Sequence, residues 1–493
     1  MEKERNNYSF ILKAIGLFGG VKVFQIIVNI IRSKIIAILI GPSGMGIIGL
    51  FQSSIEVVNQ FTGCGLQTSS VRDISRSVSE GDDHQLGIVV STLKRLVWLT
   101  GLLGMIVVFF FSDYLSFFAF GSDSHSLDFK YLSIILVLTQ LNIGQIALLQ
   151  GTFRYKEMAK ASLFGSLVSL IVVCPFYYFY KQQGIVPSLV AAAIINLLFS
   201  WVYSRRVPYK KVVLSFCSFL SNSKGMITLG AAMSIGMALS TVSGYLMNLF
   251  LTSQGDVAIV GLYQAANQVA NSYVLLVFSS MVSDYMPRLA ALNNDSEAQI
   301  EAINMQAILV IIILAPLLSL MMVFSKEVIL LLYSSEFSSI SLLITIFMSG
   351  MLIRAISWCL SYSLIARGEA KSFLICESIS CTASLALMVC GYLISGFIGM
   401  GVGFVINYIL YSFILLVVSK KSFGFAFSTE LKRLFIKAQG LVFVCLLTCV
   451  LPIPIIAKYI LGVGVILIVS LSSVKELKKR INLNGIFKKI IAR

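Results

Sequence analysis

Four polar side chains punctuate one apolar run near the start of the chain: Lys22, Gln25, Asn29 and Arg32. Their spacing (i, i+3, i+7, i+10) confines them to an arc of ~80° on one helical face at ~100° per residue. The stripe is ~15 Å long at a rise of ~1.5 Å per residue. An ionisable group at the centre of a bilayer costs about 2.5–3.5 kcal/mol on the insertion scale, so it needs a reason to be there. Two cations exceed what one nearby carboxylate neutralises, and surplus positive charge wants an anion. Arg and Lys in a low-dielectric cavity suit a phosphate or pyrophosphate. Lys34 points away from this stripe; it either snorkels to headgroups or lines the outer mouth.

Further polar residues recur on helical faces. Gln52, Glu56, Asn59 and Gly63 share one face, and Gln264, Asn267, Gln268 and Asn271 form a matching stripe. Glu56 in the first stripe corresponds to neutral Gln268 in the second, so a titrating carboxylate here belongs to the first only. Arg354 is followed by Ser357 and Ser361 on its own face, and Glu377 lies in the next run. Glu56 and Glu377 are the candidates for ion coupling. Asp284 and Arg288 sit at a helix end and serve either as a gate or as interfacial capping. The bland alternative throughout is that these groups bond one another as interhelical glue, with Arg354 and Glu377 as a structural pair.

The elements that must position these residues follow from composition. The chain has 493 residues and is 57% hydrophobic before its 36 glycines are counted, against about 45–50% apolar with glycine included in a soluble domain. Charged residues make up 12% and mean hydropathy is +0.91. Such a chain is an all-α polytopic membrane protein; no run alternates with the period of a β-barrel strand. Apolar runs of spanning length fall at about 10–40, 46–67, 95–111, 130–150, 161–180, 184–203, 226–252, 258–284, 303–324, 338–365, 372–394 and 397–418. Two shorter runs, 439–456 and 459–473, are split by Pro452, Pro454 and Lys458 and read as a hairpin, giving 14 spans. The first run is too long for a cleaved signal and lacks a small-residue cleavage site.

Of 38 Lys and Arg, 30 fall in segments on one side and four (Lys130, Lys181, Lys326 and Lys458) on the other. That segregation is a positive-inside signal with both termini in the cytoplasm. It accounts for the net charge of +16 without nucleic acid. Nine scattered cysteines and two histidines, His84 and His125, offer no metal or acid–base centre. The longest loops, Ser112–Lys130 outside and Thr68–Lys94 and Ser204–Lys224 inside, are too short for a catalytic domain. No ATP-binding loop, nucleophile elbow or metalloprotease motif is present, so the chain is expected to be no enzyme and to need no cofactor.

The chain also repeats itself. Gly49–Phe61 (GLFQSSIEVVNQF) and Gly261–Tyr273 (GLYQAANQVANSY) share five of thirteen positions at an offset of 212 residues. An Arg…Ala-Lys echo, Arg154…Lys160 and Arg367…Lys371, recurs at nearly the same offset. The expectation is two parallel six-helix bundles, 1–204 and 225–419, joined by a basic linker at 205–224. An extra hairpin at 438–474 and a basic cytoplasmic tail at 475–493, placed to touch anionic lipid, complete the chain.

Several segments in order resemble one family. Arg32-Ser-Lys34-Ile-Ile-Ala37, Gly41-Pro-Ser-Gly44-Met-Gly46 and Gly49-Leu50 resemble the first helix and outer turn of Wzx-type O-antigen flippases of the MOP exporter superfamily. Gly261-Leu-Tyr-Gln-Ala-Ala and Ser283-Asp284-Tyr-Met-Pro287-Arg288 are similar to that family's eighth helix. Arg354-Ala-Ile-Ser-Trp358, Ala366-Arg367-Gly368 and Phe373…Glu377 look like its tenth and eleventh, and Gly399-Met-Gly401 with Asn407-Tyr408 fits its twelfth. The resemblance reaches to about residue 420, and many members stop at twelve spans. It implies two six-helix bundles with a central cationic cavity, for which Lys22, Arg32, Lys34 and Arg354 are candidates. The implied substrate is an undecaprenyl-pyrophosphate-linked oligosaccharide moved from the cytoplasmic to the periplasmic leaflet of a bacterial inner membrane. The amide faces would meet the sugars, and membrane lipids would surround the prenyl tail. Polysaccharide polymerase and chain-length regulator proteins are the implied partners. Two rival readings remain, a multidrug or cation antiporter of the same superfamily and a membrane-embedded polysaccharide polymerase. Only two clear intramembrane carboxylates against four cations argue against the first, and the short outer loops argue against the second.

Overall fold

Backbone amides in hydrocarbon have no water to bond, so each segment must satisfy them internally, and helices do so. The computed structural model describes residues 24–210, 212–292 and 295–480, and these contain helices and no strand. The first helix, α1, covers residues 24–39. It is followed by α2 (Gly41–Thr62), α3 (Leu66–Glu80), α4 (Asp83–Phe110), α5 (Ser112–Phe120), α6 (Ser126–Leu132) and α7 (Ile134–Gly151). Next come α8 (Tyr155–Tyr180), α9 (Ile185–Ser204), α10 (Phe216–Ser253), α11 (Val257–Ala291) and α12 (Ser296–Val323). The chain continues through α13 (Ser325–Leu332), α14 (Ser341–Ala366), α15 (Ala370–Phe423), α16 (Thr429–Val450) and α17 (Ile455–Arg480). Among the described residues nine stretches are long and apolar enough to cross a membrane. The chain is an all-α, multi-pass membrane protein.

Two compact units divide the chain. One runs through Gln264 and includes Leu332–Ser334; the other holds Ala265–Leu331 and Ser335 onward.

In the first unit α8 and α9 fold back on each other through the turn at Lys181–Gly184 and pack on α7. Backbones approach closely where α2 meets the start of α11. A Cβ added to Gly46 would lie 2.0 Å from the Val257 carbonyl oxygen, and one added to Gly261 would lie 2.0 Å from that of Pro42. Two expected loops are helical instead. The Thr68–Lys94 stretch contains α3, whose Leu66, Ser69, Ser70, Ile74 and Ser77 are buried on one face. That face is largely serine, so apolar periodicity does not reveal it. The Ser112–Lys130 stretch folds into α5 and the start of α6. His125 stacks 4.1 Å from the Phe120 ring, and its Nδ1 lies 2.7 Å from Asp128 Oδ2.

In the second unit α12 and α14 form the buried centre. The 54-residue α15 is a hairpin, because Ser395 (φ −145°, ψ 26°) and Gly396 (φ 58°, ψ −137°) break it. That Gly396 geometry is one that only glycine adopts without strain. The arms then lie backbone to backbone, and a Cβ on Gly391 would sit 2.1 Å from the Gly399 carbonyl oxygen. After Pro452-Ile-Pro454, α16 and α17 are the two extra helices expected, and both pack on α12.

Candidate functional site

In the first unit, α1 carries half-buried Gln25, Arg32 and Lys34 and exposed Asn29, while Lys22 lies outside the described residues. Lys34 Nζ donates to the Tyr333 carbonyl oxygen. On α2, Gln52 and Glu56 are exposed and Asn59 is half-buried. Asn59 Oδ1 accepts from Gln140 Nε2 of α7 at 2.8 Å, and Gln264 Nε2 donates to Asn248 Oδ1 of α10 at 3.1 Å. These two amides therefore join helices. Their partners, Gln140 and Asn248, are buried polar residues that sequence reasoning missed. The signal available was an amide side chain in an otherwise apolar run.

The second unit gathers a tighter constellation from three helices. On α11, Asn271 Nδ2 donates to Asn267 Oδ1 at 2.6 Å and to the Asn267 carbonyl oxygen at 2.9 Å. The amides are thereby oriented so that Asn271 Oδ1 accepts from Arg354 Nη1 of α14. The Arg354 guanidinium also lies 5.3 Å over the ring of Tyr408 on the second arm of α15. One turn away on that arm, Tyr411 OH donates to Glu377 Oε2 of the first arm at 2.7 Å. Because Tyr408 and Tyr411 lie one turn apart on that arm, the two sets of contacts are neighbours. Ser357 Oγ and Ser412 Oγ, 2.7 Å apart, pin α14 to the same arm. Gln268 is half-buried beside the amides. Asp284 and Arg288 fall on α11, and their side chains lie outside the described residues.

Within the cluster the groups that touch Arg354 are neutral. Its hydrogen-bond and ring partners are an amide, a thioether and a phenol ring, and no ion pair joins it to Glu377 among the described residues. A guanidinium in this setting keeps N–H donors for a further acceptor, and its planar fork matches a phosphate or carboxylate. The neighbouring amides offer both donors and acceptors, as a hydroxyl-rich ligand requires. Sequence reasoning found Arg354, Asn267, Asn271 and Glu377 but assigned no site role to Tyr408 or Tyr411.

Comparison with known proteins places the chain. Residues 35–342 match the family described as polysaccharide biosynthesis protein. The chain belongs to that family. The chain is 22% identical over 397 residues to the lipid III flippase of Escherichia coli, covering 78% of this chain and 92% of that one. The lipid III flippase of Shigella flexneri matches over the same length at the same identity. Among solved structures, the lipid II flippase MurJ in an inward closed conformation superposes with a TM-score of 0.65 at 17% identity, covering 94% of this chain and 99% of its own. An inward-facing multidrug resistance MATE family transporter of the MOP superfamily superposes with a TM-score of 0.68 at 15% identity, covering 83% and 96%. The family member therefore has the MOP fold, which hosts several transport functions.

Proposed function

We propose that the chain is a flippase. It moves an undecaprenyl-pyrophosphate-linked oligosaccharide, the repeat unit of O-antigen or a similar surface polysaccharide, from the cytoplasmic to the periplasmic leaflet by alternating access. The observation that carries this reading is Arg354: a guanidinium inside an apolar helix, held by neutral partners and flanked by amides, which suits a pyrophosphate bearing sugars. Arg32 and Lys34 of α1 are further candidate cations for this anion, as is Lys22, which lies outside the described residues. Membership of a polysaccharide biosynthesis family and relatives named as flippases for lipid III and lipid II support a lipid-borne substrate. The 30-to-4 division of basic residues supports a bacterial inner membrane with both termini in the cytoplasm. A proton or sodium gradient drives the cycle, with Glu56 and Glu377 as its coupling carboxylates. The polymerase and chain-length regulator of the same polysaccharide are its partners.

The fold also fits a multidrug antiporter, but a cationic drug is repelled by the Arg354 guanidinium. The test is complementation of a deletion strain. Losing a hydrogen bond to a charged group costs about 1.5–3 kcal/mol, so Arg354→Ala is expected to lower surface polysaccharide roughly 10- to 100-fold at normal protein level. Single repeat units then remain trapped inside. Arg32→Ala is expected to act in the same direction. Wild-type polysaccharide in the Arg354→Ala/Arg32→Ala strain, with the protein present, overturns the reading.

A further inference from the structure

Away from the polar faces, the first unit has a groove of about 500 Å³ between α4 and α9, with α7 as its floor. Gly144 of α7 keeps the floor low; a Cβ there would be 3.1 Å from Val97 Cγ1. The walls are mostly apolar, with Val90, Leu93, Val97 and Trp98 beside Lys94 on α4 and Leu197, Leu198 and Trp201 on α9. The two tryptophans are about half-exposed, at 51% and 47%. One helical turn beyond each, towards the end where Lys and Arg concentrate, stands a cation. Lys94 precedes Trp98 by four residues, and Arg205 follows Trp201 by four. The Arg205 guanidinium lies 5.1 Å over the Trp201 ring, and Lys94 Nζ donates to Tyr209 OH. Among the described residues neither cation has an acidic partner. Arg95 and Arg206 stand beside them, exposed on the same rim.

An apolar trough that carries two tryptophans, each with a cation one turn nearer the basic end, offers apolar surface to an acyl chain and positive charge to a headgroup. Tryptophan rings settle at headgroup depth, and basic pockets between spanning helices collect anionic headgroups. We propose that this groove is a binding site for an anionic phospholipid. The acyl chain lies over Gly144 between α4 and α9, and the phosphate is held by Lys94 and Arg205. The name of the leaflet, cytoplasmic, rests on the positive-inside orientation proposed above; the site itself does not depend on transport.

The chain has three tryptophans, so a Trp358→Phe protein reports from the groove alone. It is reconstituted in phosphatidylcholine vesicles in which brominated phosphatidylglycerol or brominated phosphatidylcholine progressively replaces the unlabelled lipid. One cation near a lipid surface shifts binding about fivefold, so half-maximal quenching by the anionic lipid is expected at a mole fraction roughly fivefold or more below that for phosphatidylcholine. Lys94→Gln/Arg205→Gln is expected to merge the two curves. Superimposed curves in the parent, or a preference that survives the double substitution, overturn the proposal. Unlabelled polyprenyl pyrophosphate at equal mole fraction should leave the preference intact; its abolition assigns the groove to the lipid carrier and rejects the phospholipid. Because Trp358 stacks 4.6 Å from Phe278, the same contrast is read as the difference between wild type and Trp98→Phe/Trp201→Phe, which retains Trp358.

Discussion

Arg354 and Glu377 show how ionisable groups are held inside apolar helices by neutral partners. Arg354 is steadied by Asn271 Oδ1 and by the Tyr408 ring face, contacts that orient the guanidinium and leave its charge in place. Cation–π contacts of this kind are worth about 0.5–2 kcal/mol. Glu377 is held by the Tyr411 hydroxyl at 2.7 Å. Removing that donor leaves the carboxylate short of a partner at a cost of about 1.5–3 kcal/mol. Tyr411→Phe is therefore expected to lower the thermal midpoint of the purified protein, and Glu377→Gln/Tyr411→Phe to cost less than the two single changes summed. Strict additivity of the three midpoints contradicts the pairing. The ionisable and amide members of this cluster were legible in the sequence because each interrupts an apolar run. Tyr408 and Tyr411 were not legible as site residues, since a tyrosine in a membrane helix is ordinary packing until a partner is seen. Spacing gives the face a side chain occupies; it does not name what stands opposite, which is also why Gln140 and Asn248 escaped notice.

Among the elements, the α15 hairpin depends on backbone contact. Gly391 and Gly399 each face the other's carbonyl oxygen, and Gly403 faces that of Leu387 at 2.3 Å from an added Cβ. A side chain there must push the arms apart, and overpacking costs typically about 1–3 kcal/mol or more. Gly391→Val is expected to reduce the yield of monodisperse protein on size-exclusion chromatography several-fold. Gly440→Ala, where an added Cβ meets nothing within 4 Å, is expected to leave the yield unchanged. Equal yields for the two variants contradict a hairpin held by close backbone approach. Its turn was legible, since the apolar runs 372–394 and 397–418 part at Ser395-Gly396. The break before α17 was legible from Pro452 and Pro454. By contrast α3 buries serines, and α5 and α6 are short, so neither hydropathy nor length marked them out.

At the scale of the whole molecule, the apolar composition describes a multi-pass membrane protein, and the family match ties it to polysaccharide biosynthesis. The central claim is that the chain carries a pyrophosphate-linked oligosaccharide across the bilayer and uses Arg354 to do so. The measurement that tests it most directly is leaflet accessibility in liposomes. Purified protein is reconstituted with a lectin-detectable polyprenyl-pyrophosphate oligosaccharide, and its arrival at the outer face is followed in time under a proton or a sodium gradient. The account predicts transfer well above that of protein-free liposomes, and a return towards that background with Arg354→Ala. Transfer no faster than in protein-free liposomes under either gradient, from protein shown to be folded, contradicts it.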